Sequence, residues 1–479
     1  MPYETYETVI GLETHVELAT KTKLFCGCST EFGGKPNSHT CPVCTGMPGS
    51  LPVLNKQALK YAIAVGLATH CEITRHSKFD RKNYFYPDNP QNYQISQLYL
   101  PICRNGWVEI DTPSGRKKIG IHEIHMEEDA GKLIHDEWTD TSLVDYNRSG
   151  VPLIEIVSEP DMRSGEEVVA YLDKLRLLIG YLGASDCKLE EGSMRADVNI
   201  SVRPAGSTSF GTRCEMKNIN SFKAIERCIR GEAARQIELI EEDRKKVIQE
   251  TRRWDDNKES SRAMRSKEDA KDYRYFPDPD LVPIDVSDEL LEEIRKEQPE
   301  FQEEKAERYK KEYGLPDADV QILTADKHMA DLFEETARLS GLPKKASNWL
   351  IVETRQLMKE KNDDPEDLHF SAKHLADLIR MADENAVSSS AAKQIFTALY
   401  ETDCDPQEYA GEHGLLIVKD GKALQAAAQK AITANQKAAA DYRGGKEKAI
   451  GALVGFVMKE MKGQADPGKA AAVLKELLS

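Results

Sequence analysis

From Glu13 to Glu17 every second residue is ionisable, and the residues around them, Leu12, Val16 and Leu18, are apolar. Side chains along an extended strand point alternately to opposite faces. Glu13, His15 and Glu17 therefore fall on one face of a strand, with Leu12, Val16 and Leu18 on the other. The same division recurs in Ala196–Arg203: Asp197, Asn199, Ser201 and Arg203 share one face, and Ala196, Val198, Ile200 and Val202 the other. Arg213, Glu215 and Lys217 alternate with Cys214 and Met216, and Glu155 stands alone among Leu153, Ile154, Ile156 and Val157. Such segments require a sheet with one apolar face to be covered and one charged face left open.

Further short alternating runs, Trp107–Thr112 and Pro152–Ser158, are punctuated by Gly, Pro and Asn. Helices are predicted between them at Lys56–Leu67, at Glu166–Leu182 with Ser164 as N-cap and Glu167 three residues on, and at Phe222–Gln249. No regular βαβ repeat appears, so the predicted class is α+β with a largely antiparallel sheet. After Pro283 the texture changes. Asp288–Tyr313 reads as a charged helix ended by Gly314-Leu315-Pro316, and helical periodicity then continues to the last residue, broken at Gly341-Leu342-Pro343, Pro365, Pro406 and Gly411. A strand-rich domain (1–292), a helical domain (293–408) and a small helical tail (409–479) are the expected organisation, consistent with a chain of 479 residues.

No stretch approaches the roughly 18 apolar residues of a membrane span, and Met1–Ile10 has neither a basic nor an apolar leader character. A cytoplasmic location is the expectation. The net charge of −16 argues against nucleic-acid binding over the whole surface. The tail from Ala410 onward nonetheless carries net +4, leaving −20 on the rest. That asymmetry fits one polyanion contact at one end, or simply a solvated helical face.

Cys26-Gly27-Cys28 and Cys41-Pro42-Val43-Cys44 form two close pairs in a loop rich in Gly, Asn and Pro. Four thiolates suit a tetrahedral, coordinatively closed and hence structural zinc site. Four unrelated free thiols, or His39 in place of one ligand, are the alternatives. Cys71, Cys103, Cys187, Cys214, Cys228 and Cys404 are isolated and read as ordinary core or surface residues.

Carboxylates brought together from several strands repel unless a cation neutralises them. Magnesium with bound phosphates needs only a few carboxylate ligands, so the charged face suits Mg-ATP, with Arg195, Arg203, Arg213 and Lys217 available to phosphate oxygens. A polar sheet face laced by salt bridges is the plainer reading. His125-Met126-Glu127-Glu128-Asp129-Ala130-Gly131 adds an acidic loop without a zinc-protease spacing. Gly206–Arg213 lacks the Lys-Ser/Thr of a phosphate loop and reads as a hairpin connection. Lys78–Asp88 and Asp272–Asp280 interleave aromatics with cations, as base-stacking segments do and as packing anchors near prolines also do.

Taken together, Gly11–Leu18, Lys78–Pro90, His125–Gly131, Pro152–Asp161, Glu190–Asp197, Lys217–Phe222, Gln249–Arg253 and Asp272–Asp280 resemble, in order, the GatB family of tRNA-dependent amidotransferases. The helical remainder resembles that family's C-terminal region, shared with YqeY-like proteins. The resemblance implies a glutamine-synthetase-like cradle that uses ATP and Mg2+ to phosphorylate the carboxylate of a misacylated Glu-tRNA(Gln) or Asp-tRNA(Asn). Ammonia from a separate amidase subunit, GatA, then gives the amide; GatC joins the complex, and the helical domains hold the tRNA. It maps magnesium ligands to His15, Glu128, Glu155, Asp197 and Glu215, with Glu13 beside them, and places Lys82 on the ammonia path. The cysteines vary within the family, which favours a structural zinc. No amidase Ser/Gly-rich signature is present, so ammonia has to come from elsewhere.

Two other classes compete. A non-catalytic tRNA-binding module accounts for the basic tail but not for the carboxylate face. A free-standing ATP-dependent amide ligase accounts for the face but not for the tail.

Overall fold

The computed structural model describes residues 5–113, 115–136, 141–189, 191–241, 246–266, 272–417, 421–461 and 464–478. Glu190, part of one family-like motif, lies outside them. The chain divides into two compact units, Met1–Phe301 and Gln302–Ser479.

The strands of the first unit are β1 (Tyr6–Glu17), β2 (Glu72–Ile73), β3 (His76–Ser77), β4 (Asp80–Asn83), β5 (Tyr93–Ser96), β6 (Cys103–Thr112), β7 (Gly115–Glu128) and β8 (Lys132–Asp136). They continue as β9 (Thr141–Asp145), β10 (Pro152–Ser158), β11 (Met194–Pro204), β12 (Cys214–Lys217), β13 (Glu250–Asp255), β14 (Ser260–Ser266), β15 (Phe276–Pro277) and β16 (Ile284–Asp285). Nine form one sheet, ordered β14-β13-β12-β11-β1-β10-β7-β6-β2. Every neighbouring pair is antiparallel except β12–β13. The class is α+β with a largely antiparallel sheet, as the alternating runs require.

Helices α1 (Lys56–Ala68), α2 (Gly165–Tyr181) and α3 (Phe222–Glu241) supply the apolar cover. Ile10, Leu12, Val16, Met126, Ile154, Ile156, Val198 and Ile200 from the sheet share one core with Ile63 of α1, Leu172 and Leu175 of α2, and Ile225 and Ile229 of α3. Ser164 caps α2, accepting from the Glu167 N–H. Because the apolar residues of β1, β10 and β11 face these helices, their ionisable residues are turned to the other side of the sheet.

Two predicted helices are shorter than their patterns. The structure ends α3 at Glu241; 242–245 lie outside the described residues, and 246–249 are not helical, because the chain must extend there to enter β13 beside β12. Asp288–Tyr313 is interrupted: α4 (Asp288–Glu297) stops at Gln298, whose ψ of 129° is extended. Pro299 follows, and a proline disfavours helical geometry in the residue before it.

The second unit is helical, apart from an isolated bridge between Val387 and Leu416 among the described residues. Gly314 and Gly341 end helices in the left-handed conformation, with φ of 61° and 68°. The unit has two separate apolar cores, one between Ala306 and Ala410, the other between Leu424 and Leu478.

Ile154 is fully buried directly beneath the charged face. Ile154→Ala is expected to lower the stability of the first unit by about 2–5 kcal/mol in denaturant unfolding. A loss below about 0.5 kcal/mol, the range of surface substitutions, would contradict this packing.

Candidate active site

β1 is the axis of the charged face. Its register sets Glu13 opposite Asp197 of β11, and His15 opposite both Arg195 of β11 and Glu155 of β10. β7 sets His125 opposite Glu155. β12 sets Glu215 opposite Asn199. Two clusters result. Glu13, Asp197 and Glu215 each offer an oxygen within 4.8 Å of the others, and so do ligand atoms of His15, Glu127 and Glu155.

The first cluster is held by one lysine. Lys217 Nζ donates to Asp197 Oδ2 at 2.5 Å and contacts Glu215 Oε1 at 2.8 Å. Thr251 of β13 donates to the other oxygen of Glu215 at 2.6 Å, and Asn199 donates to Glu13 at 3.1 Å. Burial disfavours the Lys217 ammonium, yet Asp197 and Glu215 raise its pKa above the ordinary lysine range. For Glu13, burial and then the neighbouring Glu155 and Glu215 charges push the carboxyl pKa up.

In the second cluster His125 Nε2 lies 2.9 Å and His15 Nε2 3.5 Å from Glu155 Oε2, with Glu127 Oε1 3.8 Å from His15. Burial opposes charge on His125, but Glu155, Glu123 and Glu127 lift its pKa to about 10. Burial opposes charge on Glu155 too, and the two imidazoles more than offset it, holding that carboxyl well below its usual range.

Both clusters fit a hard divalent cation by donor type: carboxylate oxygens with at most one imidazole, in strands rather than in a mobile loop. The lysine within the first and the charged histidines around the second do what a cation would otherwise do, cancelling like-charge repulsion.

The residues expected from sequence divide as follows. Glu13, Asp197, Glu215 and Lys217 come together, and His15 and Glu155 form the adjoining group. Glu128 does not join them. It alternates with Ile124 and Met126 on β7 and is 8% exposed; its carboxylate accepts from Gln91 and, at 3.1 Å, from the Ile95 N–H. Burial pushes its pKa up to about 8. The neighbouring Glu127 takes the expected place. Its signal is the period-two spacing His125-x-Glu127, which a loop reading of the segment hides and the end of a strand reveals.

Arg203 is also displaced. It lies six residues beyond Asp197 on β11, roughly 20 Å along a strand, and pairs with Glu7 at 2.6 Å. Arg195 leans away from His15 to Asp129 Oδ2 at 2.7 Å. Arg213 is exposed just before β12, close enough for its charge to help lower the Glu215 pKa.

Lys82 enters from a second small sheet, β15-β4-β5, in which Phe276 and Arg81 are partners. The two aromatic-basic stretches are thus neighbours: the Tyr84 and Tyr273 rings are 6.1 Å apart, and Lys82 Nζ lies 5.4 Å from the Tyr273 ring centre. Burial disfavours its ammonium, but Glu127, Tyr275 and Glu155 raise its pKa beyond the usual lysine value.

The thiols of Cys26, Cys28, Cys41 and Cys44 lie within 4.8 Å of one another, with Cys41 and Cys44 sulfurs 3.9 Å apart. Tetrahedral thiolates at ordinary zinc distances sit about 3.8 Å apart, so the group fits zinc. Fully buried Lys23 donates to Cys44 Sγ at 3.5 Å and to the His39 carbonyl at 2.8 Å. A hydrogen bond from Cys26 pulls the Cys44 thiol down to about 4. His39 is not in the group; its ring packs on Gly34, where a side chain would collide with it.

Residues 8–292 match the profile of the GatB/GatE catalytic domain, and residues 331–478 that of the GatB domain. A curated relative from Agathobacter rectalis, the B subunit of aspartyl/glutamyl-tRNA(Asn/Gln) amidotransferase, is 66% identical over 475 residues, covering 99% of this chain and 100% of the relative. The chain belongs to the GatB family. Proteins of the same name from Lachnospira eligens and Caldicellulosiruptor bescii are 64% and 54% identical, with 99% of each chain covered. Both carboxylate clusters and the four cysteines of this GatB-family chain lie within the catalytic-domain match.

Protons compete with a cation for ligands whose pKa values are raised, here Glu13 and His15. Raising the pH removes those protons, so Mn2+ affinity of the purified chain, followed by electron paramagnetic resonance, is expected to strengthen steadily from about pH 6 to 8.5; a flat profile would remove these groups from the ligand set. Cys41→Ser is expected to lower bound zinc well below about one ion per chain and to destabilise the first unit, read by a chromophoric zinc-release assay and thermal unfolding. Retention of full zinc content would contradict the four-thiolate site.

Proposed function

We propose that this chain is the kinase and transamidase subunit of a tRNA-dependent amidotransferase, acting on the side-chain carboxylate of Glu-tRNA(Gln), Asp-tRNA(Asn) or both. The observation that carries the reading is the convergence of Glu13, Asp197 and Glu215, from three adjacent strands, on Lys217. A tRNA-binding module has no need of three carboxylates held against their mutual repulsion. The relatives' name, which makes each of them one component of an amidotransferase, supports both the reaction class and a multi-subunit complex.

The chemistry proceeds in two displacements. A carboxylate oxygen of the misacylated residue attacks the γ-phosphorus of ATP; the bond to the bridging oxygen breaks, and ADP leaves. Ammonia then attacks the acyl carbon; the C–O bond breaks, phosphate leaves, and the nitrogen's surplus proton ends on that phosphate. Carboxylate alone is a poor acyl donor, so activation is what the ATP contributes.

The face contributes charge balance and position. Glu13, Asp197 and Glu215 would hold one magnesium ion, and His15, Glu127 and Glu155 a second. Magnesium, when bound, supplies neutralisation of the phosphate charge. Lys217 bridges Asp197 and Glu215 and is placed to follow charge onto the phosphates. Lys82, kept as an ammonium beside Glu127 and Glu155, repels NH4+ but not NH3, which suits a position on the ammonia path. The zinc group is structural, since four thiolates leave no open position.

The ammonia source is an amidase subunit, GatA, with GatC as third component. The domains are the cradle (1–292), the helical domain (293–408) and the tail (409–479), whose net positive charge suits the tRNA. The location is the cytoplasm; among the described residues no helix is long and apolar enough to cross a membrane.

The test is ADP formation by the chain with GatA, GatC and Mg2+. ADP is expected only when misacylated tRNA is present, with amide product once glutamine is added. Asp197→Ala and Glu215→Ala are each expected to lower it by at least about 100-fold, the order of an electrostatic catalytic group. Undiminished ADP in both variants would overturn the reading. Turnover with a free amino acid would identify a small-molecule ligase instead.

A further inference from the structure

In β1, β10 and β11 apolar residues on the covered face set the register. On β13 that face carries Glu250, Arg252 and Trp254, of which Trp254 alone is apolar. A bulge at the Thr251–Arg252 step, with Met264 as the extra residue on β14, further loosens the pairing of these two edge strands. Yet β13 has to keep its phase, because a slip of one residue would turn Thr251 away from Glu215. What holds it is a charged group beneath the sheet.

Glu232 of α3 has a fully buried side chain. Arg235 grips both of its oxygens, at 2.6 and 2.8 Å, and Gln236 donates to it at 2.8 Å. Arg252 Nε lies 3.7 Å from it. Each of these partners reaches a different strand. Gln236 donates to the Ile200 carbonyl of β11 at 3.1 Å, and Arg235 contacts Cys214 Sγ of β12 at 3.5 Å. Arg252, itself on β13, donates to Ser261 of β14, to Oγ at 2.7 Å and to the carbonyl at 2.8 Å. One buried carboxylate thus ties α3 to four successive strands. Three of them carry the first cluster and its threonine on their other face: Ile200 follows Asn199, Cys214 precedes Glu215, and Arg252 follows Thr251.

Resting on the cation-binding face of the function proposed above, we propose that Glu232 is a positioning residue for the first carboxylate cluster. Through Arg252 it fixes the phase of β13, so that the Thr251 hydroxyl can orient Glu215. A buried ion group adds little net stability, because desolvation offsets the attraction. It does specify one arrangement, since a slipped strand would leave a buried charge without its partner, which is strongly unfavourable. The result is passed through the sheet. Thr251 donates to one oxygen of Glu215 and Lys217 contacts the other, which together fix the plane of that carboxylate. A group that orients a metal ligand from behind sets the affinity of the site without touching the metal.

The experiment titrates Mn2+ into the full chain, followed by electron paramagnetic resonance, with thermal unfolding measured beside it. Thr251→Val is expected to weaken one of two bound ions about tenfold, the scale on which loss of such an orienting group acts, with Thr251→Ser recovering most of it. Glu232→Gln is expected to weaken the same ion and to leave the other, at His15, Glu127 and Glu155, unchanged. Because the two residues act in series, the double variant is expected to bind within about twofold of the weaker single variant. Arg235, whose side chain is 26% exposed, offers a more tolerant position: Arg235→Gln is expected to weaken the same ion, and it decides the matter if Glu232→Gln fails to fold. A lowered melting temperature with both ions bound within about twofold of the parent, or effects of Glu232→Gln and Thr251→Val that simply multiply, overturns the proposal. Asp197→Ala separates the two levels. If it leaves both ions bound, the cluster is not a cation site and the reading beneath the proposal fails. If it removes one ion while Glu232→Gln and Arg235→Gln bind both normally, the cation site stands and the positioning role falls.

Discussion

Like-charge repulsion is the constraint around which the first unit is arranged. Glu13, Asp197, Glu215, Glu155 and Glu127 are drawn onto one patch of one sheet, and none of them is far from the next. Such a patch is stable only with positive charge inside it. The chain supplies Lys217 to one group, His15 and His125 to the other, and Lys82 from the overlying small sheet. These same groups give the face its chemical character, because charges arranged to hold carboxylates in place are also arranged to meet a cation and phosphate.

The carboxylates stay in place because the opposite face is apolar. Leu12, Ile154, Ile156, Val198 and Ile200 are all but fully buried against α1, α2 and α3, so a slip of one residue in any of these strands would carry charge into the core. Register is thereby enforced by the hydrophobic effect on one side and expressed as ligand geometry on the other. The central position of β1, between β10 and β11, lets a single strand contribute to both clusters.

Much of this is legible in sequence wherever a residue lies in a clearly alternating strand. Period two picks out Glu13, His15, Glu155, Asp197, Glu215 and Lys217, and the structure gathers them. Glu128 belongs to an acidic run whose phase the sequence leaves open; once Ile124 and Met126 are seen facing inward, it faces inward as well and Glu127 faces the site. Arg203 shares the face of Asp197 but not its height, since periodicity gives the face and says nothing of distance along the strand. Two helices run short where a proline or an approaching strand overrides local propensity.

Sequence by itself determined the apolar and charged faces, the α+β class, the helical second half and the grouping of cysteines, because these depend on local spacing and composition. It also carried the motifs that mark the GatB family. Only the tertiary structure decided which strands are neighbours: that β1 lies between β10 and β11, that β12 runs parallel to β13, and that Lys78–Asp88 packs on Asp272–Asp280. Strand pairing joins residues nearly two hundred positions apart through backbone hydrogen bonds that every residue except proline can donate. No single side chain encodes such a partner, so the meeting of Glu13, Asp197 and Glu215 exists only once the sheet is assembled.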